Sequence, residues 1–550
     1  MPDSADSLRQ GPFLVEQETF LGGVQDFLPR HKIPTNAANR LENCEVHIHG
    51  TVRRRGGLRV FNQHVTGAFA PWLLKSHIVR DKSPFLVSAY SDTATSSIVT
   101  IQDSAGAILN LTSQYQLSEE TDIVQLLDRI YVCHPGQSPL YWQPGMTALD
   151  RELASPGFPG TTIPQIATAV YFQGRAWAGG DLAKPDLVYF SSGLGTDGNG
   201  ESNSSPFTWD RDFQAFRMVT GRVVAIVPFR NTALIVFTDR GIESLEPNCC
   251  EILETHRLTL NLDTGCGSKH TVAHAGEEIY FMDHEGHIRS LSQTDLDENQ
   301  GVTNQPTSLR IQNVIDRQNK KYLKKARATY HKGTYWIAFP IDYAPYANEM
   351  WGYSVRDQSW VGPYRFGLDV DGGTLVPMQI GGLASHRYDG DEARLYVLLM
   401  TADKTIKTYI ALEPSDYTDD GTMIPVVIET ASYSPGESYK KTWVHVQDEL
   451  RFLHSPGDQS ITVAVDVRSD EGGWVSAQSY TFTPDAGPNL PHDMPMDMTP
   501  YSRITQKLSL TSLSRAYGMQ TRIRIRDNQT RWELIDHGVS GQIDNLELDR

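Results

Sequence analysis

The chain repeats one local pattern seven times: an apolar run, a tight polar turn and a second β-rich run. The turns fall near positions 82, 128, 174, 230, 276, 333 and 390, so successive units are 46 to 57 residues apart. This spacing is typical of the four-stranded blades of a β-propeller with insertions. Because one such unit can bury its apolar face only against a neighbour, the repeat predicts a ring.

The repeat therefore predicts a mainly β fold with a β-propeller-like platform of six to eight blades over residues 70–415. A multi-sheet β domain that does not close is the alternative. The 44 glycines, 30 prolines and many aromatic residues agree with short strands joined by turns. A length of 550 residues predicts two to four domains.

The pattern changes after a polar, acidic linker at residues 413–424. Beyond it, apolar and polar residues alternate, as at Val463, Val465 and Val467. Eight strands are predicted near residues 425–429, 443–446, 449–453, 461–467, 478–482, 505–510, 521–525 and 538–546. They predict a jelly-roll-like β-sandwich over residues 416–550, with a long Pro-rich loop at 484–500. Residues 1–69 are predicted to form an N-terminal arm and a basic β-hairpin.

The formal net charge of −17 argues against a basic nucleic-acid-binding surface over the whole molecule. One local exception is the turn Arg53-Arg54-Arg55-Gly56-Gly57. These arginines are candidates for docking to an acidic neighbour or to phosphate. A solvated hairpin tip is the alternative.

A second basic group ends the segment 308–326, which is predicted to be an amphipathic helix with its apolar residues mostly on one face. Four lysines gather at its C-terminal end: Lys320, Lys321, Lys324 and Lys325. They are candidates for contact with a partner or with DNA. A solvated face that complements the helix dipole is the alternative, and the stronger one.

No motif in the chain predicts a chemical reaction. The segment 295–301 resembles the first half of a calcium loop, but Pro306 stands where the closing acid is needed. Four histidines lie close in sequence: His270, His274, His284 and His287. Their spacing on a strand and turn does not converge on a metal as it does on a helix. We therefore expect no enzyme activity, no catalytic residue, no metal and no cofactor.

The five cysteines are dispersed, and the adjacent Cys249 and Cys250 are poorly placed to bridge each other. A disulfide scaffold is not expected, and assembly in a reducing cytoplasm is the simpler interpretation. The first residues carry acids rather than an apolar core, so no secretory signal is expected. The longest apolar runs have the length of strands, so no membrane-spanning segment is expected.

Eight short motifs follow one another along the chain: Phe20-Leu21-Gly22-Gly23-Val24, Leu41-Glu42-Asn43-Cys44, Arg53-Arg54-Arg55-Gly56-Gly57, Asp186-Leu187-Val188-Tyr189-Phe190, Phe207-Thr208-Trp209, Val227-Pro228-Phe229-Arg230-Asn231, Gly265-Cys266-Gly267-Ser268 and Met350-Trp351-Gly352-Tyr353. Their order resembles a known family, the tail hub or nozzle proteins of short-tailed bacteriophages (tail tubular protein B-like). Each is weak alone, and the ordered series covers most of the chain.

The resemblance implies a homo-hexameric ring below the portal and adaptor proteins of a virion tail, assembled in the cytoplasm of the host bacterium. Such rings form the channel for DNA ejection and anchor spikes, fibres or a needle. Double-stranded DNA would pass transiently, without specific binding. The family's motifs carry no catalytic residues. A carbohydrate-binding or carbohydrate-cleaving propeller, such as a tailspike, is the alternative function.

Overall fold

The computed structural model describes residues 12–543 with internal gaps. The gaps fall at residues 18, 79–83, 105, 114, 153–162, 192–194, 197–201, 204–214, 249–253, 293–305, 371–373, 434–440, 454–460, 470–471, 483–500, 510–515 and 527–530. Five features of the sequence analysis therefore lie outside the described residues: the turn near position 82, the segment Phe207-Thr208-Trp209, the adjacent Cys249 and Cys250, the partial calcium loop at 295–301 and the Pro-rich loop at 484–500.

Seven antiparallel sheets follow one another along the described chain and form the blades of a propeller. Blades one to three consist of Ala70–His77, Phe85–Ser91, Ser97–Gln102 and Ile108–Ser113; Asp122–Leu126, Arg129–Cys133, Leu140–Trp142 and Asp150–Arg151; and Thr168–Phe172, Arg175–Gly179, Leu187–Phe190 and Ala215–Arg217. Blades four and five consist of Val223–Phe229, Ala233–Thr238, Ile242–Glu246 and His256–Asn261; and Ala273–Ala275, Glu278–Met282 and Ile288–Ser290. Blades six and seven consist of Arg327–His331, Thr334–Phe339, Glu349–Ser354 and Ser359–Tyr364; and Gln379–His386, Arg394–Met400, Ile406–Glu413 and Gly57–Val65.

The mainly β fold and the propeller-like platform predicted from the repeat are confirmed. The six predicted turns that lie in the described residues, near positions 128, 174, 230, 276, 333 and 390, join the first and second strands of blades two to seven. Two of them, Gln173-Gly174 and Lys332-Gly333, have positive φ at both positions, with values of 48° and 78° and of 44° and 85°. Two-residue hairpin turns of this kind match the twist of the flanking strands. The repeat in the sequence is therefore a repeat of hairpins.

The ring closes between blade seven and blade one. The outer strand of blade seven comes from the N-terminal side of the chain, because Gly57–Val65 pairs antiparallel with Ile406–Glu413. At the inner edge the two blades approach closely, and a Cβ on Gly382 would lie 2.3 Å from the backbone nitrogen of Leu74. Only glycine fits such an approach. The two ends of the propeller sequence thus meet in one seam.

Buried apolar clusters fill the spaces between all neighbouring blades. The second strand of blade four, Ala233–Thr238, is buried along its whole length. A strand covered on both faces needs a continuous apolar run rather than an alternating one. This explains why the blades appear in the sequence as short apolar runs.

The second unit is a sandwich of two sheets. One sheet holds Pro12–Gln17, Cys44–Val46, Val52–Arg54, Lys441–Leu453, Tyr501–Ser509 and Arg531–Ile543. The other holds Ala38–Glu42, Val426–Thr430, Ile461–Ser469, Val475–Phe482 and Met519–Arg526. The N-terminal arm therefore supplies strands to both sheets of the sandwich and to blade seven of the propeller.

Blade six and the second sandwich sheet form one continuous nine-stranded sheet. The connecting strand is Ala38–Glu42, in which Leu41 lies opposite Gly362 of blade six on one side and Ile428 of the sandwich on the other. Leu41 is fully buried. The propeller and the sandwich are thus joined by strand pairing as well as by chain connectivity.

Three short hairpins and a few helical turns complete the described structure. The hairpins are Gly195–Thr196 with Ser202–Asn203, Gly367–Val370 with Thr374–Pro377, and Thr418–Asp419 with Thr422–Met423. The α-helix is Gln312–Asp316, and the 3₁₀ turns are Arg30–Lys32, Lys269–Thr271, Thr307–Ile311 and Lys320–Lys325.

The prediction of one amphipathic helix over 308–326 was wrong. The segment divides into two 3₁₀ turns and a short α-helix, interrupted near Asn319. There the Asn319 backbone N–H donates to the Pro340 carbonyl at 3.0 Å, and its side-chain amide donates to the Ala344 carbonyl at 3.0 Å. These contacts with the loop after blade six's second strand replace the hydrogen bonds of a continuous helix.

The two strands predicted at 443–446 and 449–453 are one strand, Lys441–Leu453. The polar residues between them suggested a turn. Asp448 is instead buried, and its carboxylate accepts a 2.6 Å hydrogen bond from Nδ1 of the buried His537 on the neighbouring strand. A buried polar pair inside a sheet looks like a turn when the sequence is considered alone.

Candidate functional site

The candidate site is a cavity of about 370 Å³ at one end of the propeller axis. The first strands of blades two to six begin at this end, and the residues just before them line the cavity. The lining includes the segments before blades two and four and the 3₁₀ turns Lys269–Thr271 and Lys320–Lys325. The propeller therefore brings together residues that are far apart in sequence, such as Glu120 and Lys324, which are separated by 204 positions.

The charged groups at this opening are mostly cationic. The cations are Arg222, Lys269, Lys320, Lys321 and Lys324, and the carboxylates are Glu119, Glu120 and Asp239. A chain with a net charge of −17 thus presents a locally basic opening on its propeller axis. We call this group of residues the axial mouth.

Glu120 is the carboxylate that the cations of the axial mouth share. It forms ion pairs with Lys324 and, at 3.5 Å, with Arg222. Burial by itself would raise the pKa of Glu120, but Lys324 and Arg222 hold it below its usual value. The axial mouth is therefore already arranged to hold one ionised carboxylate between cations from two different blades.

Lys269 lies deeper, and its ammonium group bonds backbone carbonyls of two other blades. Its Nζ donates to the Glu120 carbonyl at 2.5 Å and to the Ala167 carbonyl at 2.7 Å. Burial lowers the pKa of Lys269 to about 8, and Asp122 opposes that shift. Lys75 forms an ion pair with Asp122 and, with Lys269, holds the pKa of this carboxyl below its usual value against the effect of burial.

A second cavity of about 340 Å³ lies further along the axis and also includes Lys269 in its lining. Arg327 borders it and closes the ring there. Its guanidinium donates to the Trp72 carbonyl of blade one at 2.8 Å and to the Gly381 carbonyl of blade seven at 3.1 Å. Burial lowers the pKa of Arg327 to about 10. The neighbouring His270 is buried, which lowers its pKa well below the usual value.

The four predicted docking lysines occupy different places. Lys320, Lys321 and Lys324 line the axial mouth. Lys320 donates to the Glu285 carbonyl at 2.5 Å. Lys325 does not line the mouth; its Nζ donates to the Pro345 carbonyl at 2.9 Å.

The predicted basic turn lies elsewhere, between the sandwich and the residues that follow blade seven. Arg55 is 1% exposed and forms a buried ion pair with Asp419 at 2.5 Å. Its Nη2 also donates to the Arg365 carbonyl at 3.1 Å. Arg53 pairs with Glu45 at 3.1 Å. Arg55 is therefore neither a solvated hairpin tip nor an accessible docking residue.

Close backbone packing explains the burial of this turn. A Cβ on Gly56 would lie 2.4 Å from the Leu412 carbonyl carbon, and a Cβ on Gly57 would lie 2.2 Å from the Thr418 carbonyl oxygen. Arg54 is also largely buried, with its guanidinium 5.1 Å from the centre of the Tyr417 ring. The basic Gly-Gly turn is thus a packed junction between the two units.

Sequence reasoning missed Glu120, Arg222 and Lys269 as members of a site. Each stands a few residues before a predicted blade. That position was the available signal, because the first strands of propeller blades surround the axis. Within the described part of the chain, no group of three or more histidine, cysteine or acidic residues is placed to hold a metal ion.

Another cavity, with a volume of about 1190 Å³, lies between the N-terminal arm, blade six and the sandwich. Its arginines are mostly paired within the chain. The pairs are Arg40 with Glu42, Arg317 with Asp342, and Arg365 with Glu349. Asp26 also lines it, and burial raises its pKa to about 6.

No protein-family model and no curated protein matches the chain. Among solved structures, the WD40 β-propeller domain of Doa1 is similar at a TM-score of 0.36 and 8% identity, covering 64% of this chain and 97% of that domain. The computationally designed Ika8 protein is similar at a TM-score of 0.32 and 11% identity, covering 64% of this chain and 99% of that protein. The propeller is defined by its strand pairing and its inter-blade clusters. No helix in the described residues is long and apolar enough to cross a membrane.

Proposed function

We propose that this chain is a structural component of a bacteriophage tail, a nozzle or hub that assembles as a homo-hexameric ring. The ring would lie below the portal and adaptor proteins, form the DNA ejection channel and anchor spikes, fibres or a needle. The ordered series of motifs that resembles the tail hub family supports this proposal.

One structural observation carries the proposal further. The nine-stranded sheet runs from blade six through Ala38–Glu42 into the sandwich, so relative motion of the two units would break the backbone pairing in which Leu41 lies opposite Gly362. A subunit that transmits load within a tail needs such a rigid connection. A two-domain enzyme with a closing cleft would instead need a hinge at this place.

The charge of the chain suits a channel that does not retain DNA. Six copies would carry a formal charge of −102. Phosphate binding is driven by cationic side chains that release counterions, so an acidic wall would let duplex DNA pass without binding. In this proposal, acidic residues face the lumen of the hexamer.

Native mass spectrometry of the purified chain, with electron microscopy of the same sample, tests the assembly. We expect a hexamer with a central channel. A stable monomer would contradict the proposal, and a trimer that turns over glycans would favour a carbohydrate-active spike. Retention of duplex DNA by the ring at physiological salt would contradict the non-binding channel.

A further inference from the structure

We propose that the axial mouth is a docking site for an acidic segment of a partner protein, with a glutamate or aspartate side chain inserted between Arg222 and Lys324. This inference stands on the geometry of the isolated chain. The proposed tail function adds only the setting in which a partner would use the site.

The first argument is that the mouth already holds a carboxylate. Glu120 reaches it from the segment before blade two and pairs with Lys324 and Arg222. Side chains of Glu120, Arg222 and Lys324 keep 29%, 36% and 57% of their surface exposed, so all three are accessible from solvent. Charge-assisted hydrogen bonds from such cations are the stronger contacts available to an incoming carboxylate.

The second argument concerns charge balance. Five cations stand against three carboxylates at this opening, and one of those carboxylates, Asp239, accepts a 2.9 Å hydrogen bond from the Arg222 backbone N–H. A segment that brings additional acids would restore the balance. Because the chain as a whole is acidic, most of its surface repels an acidic segment. This repulsion would direct the segment towards the axial mouth.

The third argument concerns size and polarity. A volume of about 370 Å³ falls within the range of small-ligand sites and admits one or two side chains. Five apolar or proline residues also line the cavity: Pro135, Ala167, Val223, Val224 and Leu323. A glutamate or aspartate side chain brings methylene carbons that can cover this surface, whereas a hydrated phosphate ion brings none. A DNA duplex presents phosphates on a helix too wide to enter.

The test is fluorescence polarisation with the full chain and a labelled peptide of alternating glutamate and glycine. A peptide in which glutamine replaces every glutamate is the control ligand. We expect binding of the acidic peptide, weakened about tenfold by the double variant Arg222→Gln, Lys324→Gln. Circular dichroism of each variant establishes that it is folded.

The matched control variant is Arg230→Gln, Lys332→Gln. Both residues lie on hairpin turns at the other end of the blades, with side chains 63% and 59% exposed, and each has an acidic partner. This variant changes the total charge equally, so we expect it to bind the acidic peptide nearly as the parent does. An equal loss in both double variants would show general charge attraction and would overturn the proposal.

Glu120→Gln gives a result in the opposite direction. Removing the internal carboxylate frees Arg222 and Lys324, so we expect the acidic peptide to bind a few-fold more tightly. Unchanged or weaker binding would contradict the site. Competition by inorganic phosphate or by duplex DNA at concentrations below that of the peptide would show that the assigned ligand class is wrong. All of these measurements are independent of whether the chain forms a hexamer.

Discussion

Single polar residues in this molecule connect segments that lie far apart in the chain. Asp26 is a clear case at the scale of a single residue. Its carboxylate accepts a 3.3 Å hydrogen bond from the Asn313 backbone N–H, and its own N–H donates to the Arg310 carbonyl at 3.0 Å. Burial raises the pKa of Asp26 from 3.8 to about 6, although the Asn313 and Val314 N–H groups and Arg317 oppose the rise.

A pKa that is raised in the folded state makes stability fall with rising pH. The folded chain binds the Asp26 proton more tightly than the unfolded chain, so this contribution is present below pH 4 and is lost as the pH passes 6. Relative to Asp26→Asn, we expect the parent to lose at most about 3 kcal/mol of unfolding free energy from pH 4 to 7. Urea midpoints at a series of pH values measure this.

Asp316→Asn serves as the control for that experiment, since Asp316 is exposed on the neighbouring helix Gln312–Asp316. Because this variant keeps the Asp26 carboxyl, it should lose stability between pH 4 and 7 as the parent does. If the difference between the parent and Asp26→Asn stays constant with pH, the assigned pKa shift is wrong.

The buried pair of Arg55 and Asp419 gives a second prediction at this scale. Arg55→Ala leaves the Asp419 carboxylate buried without its cation, and we expect a loss of about 3–5 kcal/mol in unfolding free energy. Arg53→Ala removes a more exposed pair with Glu45, and we expect a loss below about 1 kcal/mol. Chemical denaturation measures both. Equal losses would contradict the internal role of Arg55.

At the scale of elements, the strand Gly57–Val65 closes the propeller by completing blade seven. This arrangement joins the N-terminal side of the chain to the last blade, so the ring cannot form until most of the chain is present. Its residues differ in burial. Leu58 is 2% exposed and packs in the cluster between blades six and seven, whereas Val60 is 37% exposed.

Because Leu58 is buried and Val60 is exposed, replacing each by alanine should change the unfolding free energy by different amounts. Leu58→Ala should lower the unfolding free energy by about 2–5 kcal/mol, because it leaves a cavity in the apolar cluster between blades six and seven. Val60→Ala should cost less than about 1 kcal/mol, since it changes an exposed position of the same strand. Thermal unfolding followed by circular dichroism compares them. Similar midpoints for the two variants would contradict the difference in burial between Leu58 and Val60.

At the scale of the whole molecule, the shared nine-stranded sheet predicts that the propeller and the sandwich unfold together. Leu41 lies where the two units meet in that sheet. Leu41→Ala should therefore destabilise both units, by about 2–5 kcal/mol. Calorimetry, combined with hydrogen exchange of strands in each unit, measures the coupling. Destabilisation confined to one unit would contradict it.

Much of the fold was predictable from sequence because blades are local. Strand, turn and strand follow one another within a few residues, so the dipeptides Gln173-Gly174 and Lys332-Gly333 predict their hairpins directly. The seven apolar runs were also predictable. Second strands such as Ala233–Thr238 are covered on both faces and therefore consist of consecutive apolar residues. The failures arose where distant segments interact, as at Asn319 and Asp448.

The sequence by itself determined the blades, their order and the mainly β class, because those features depend on residues close together in the chain. Only the tertiary structure showed that blade seven meets blade one and takes its outer strand from Gly57–Val65. It placed Arg55 inside a junction and gathered Glu120, Arg222, Lys269 and Lys324 around one axis. The physical reason is that ring closure sets distances between residues far apart in sequence, and no local pattern of charge or polarity encodes those distances.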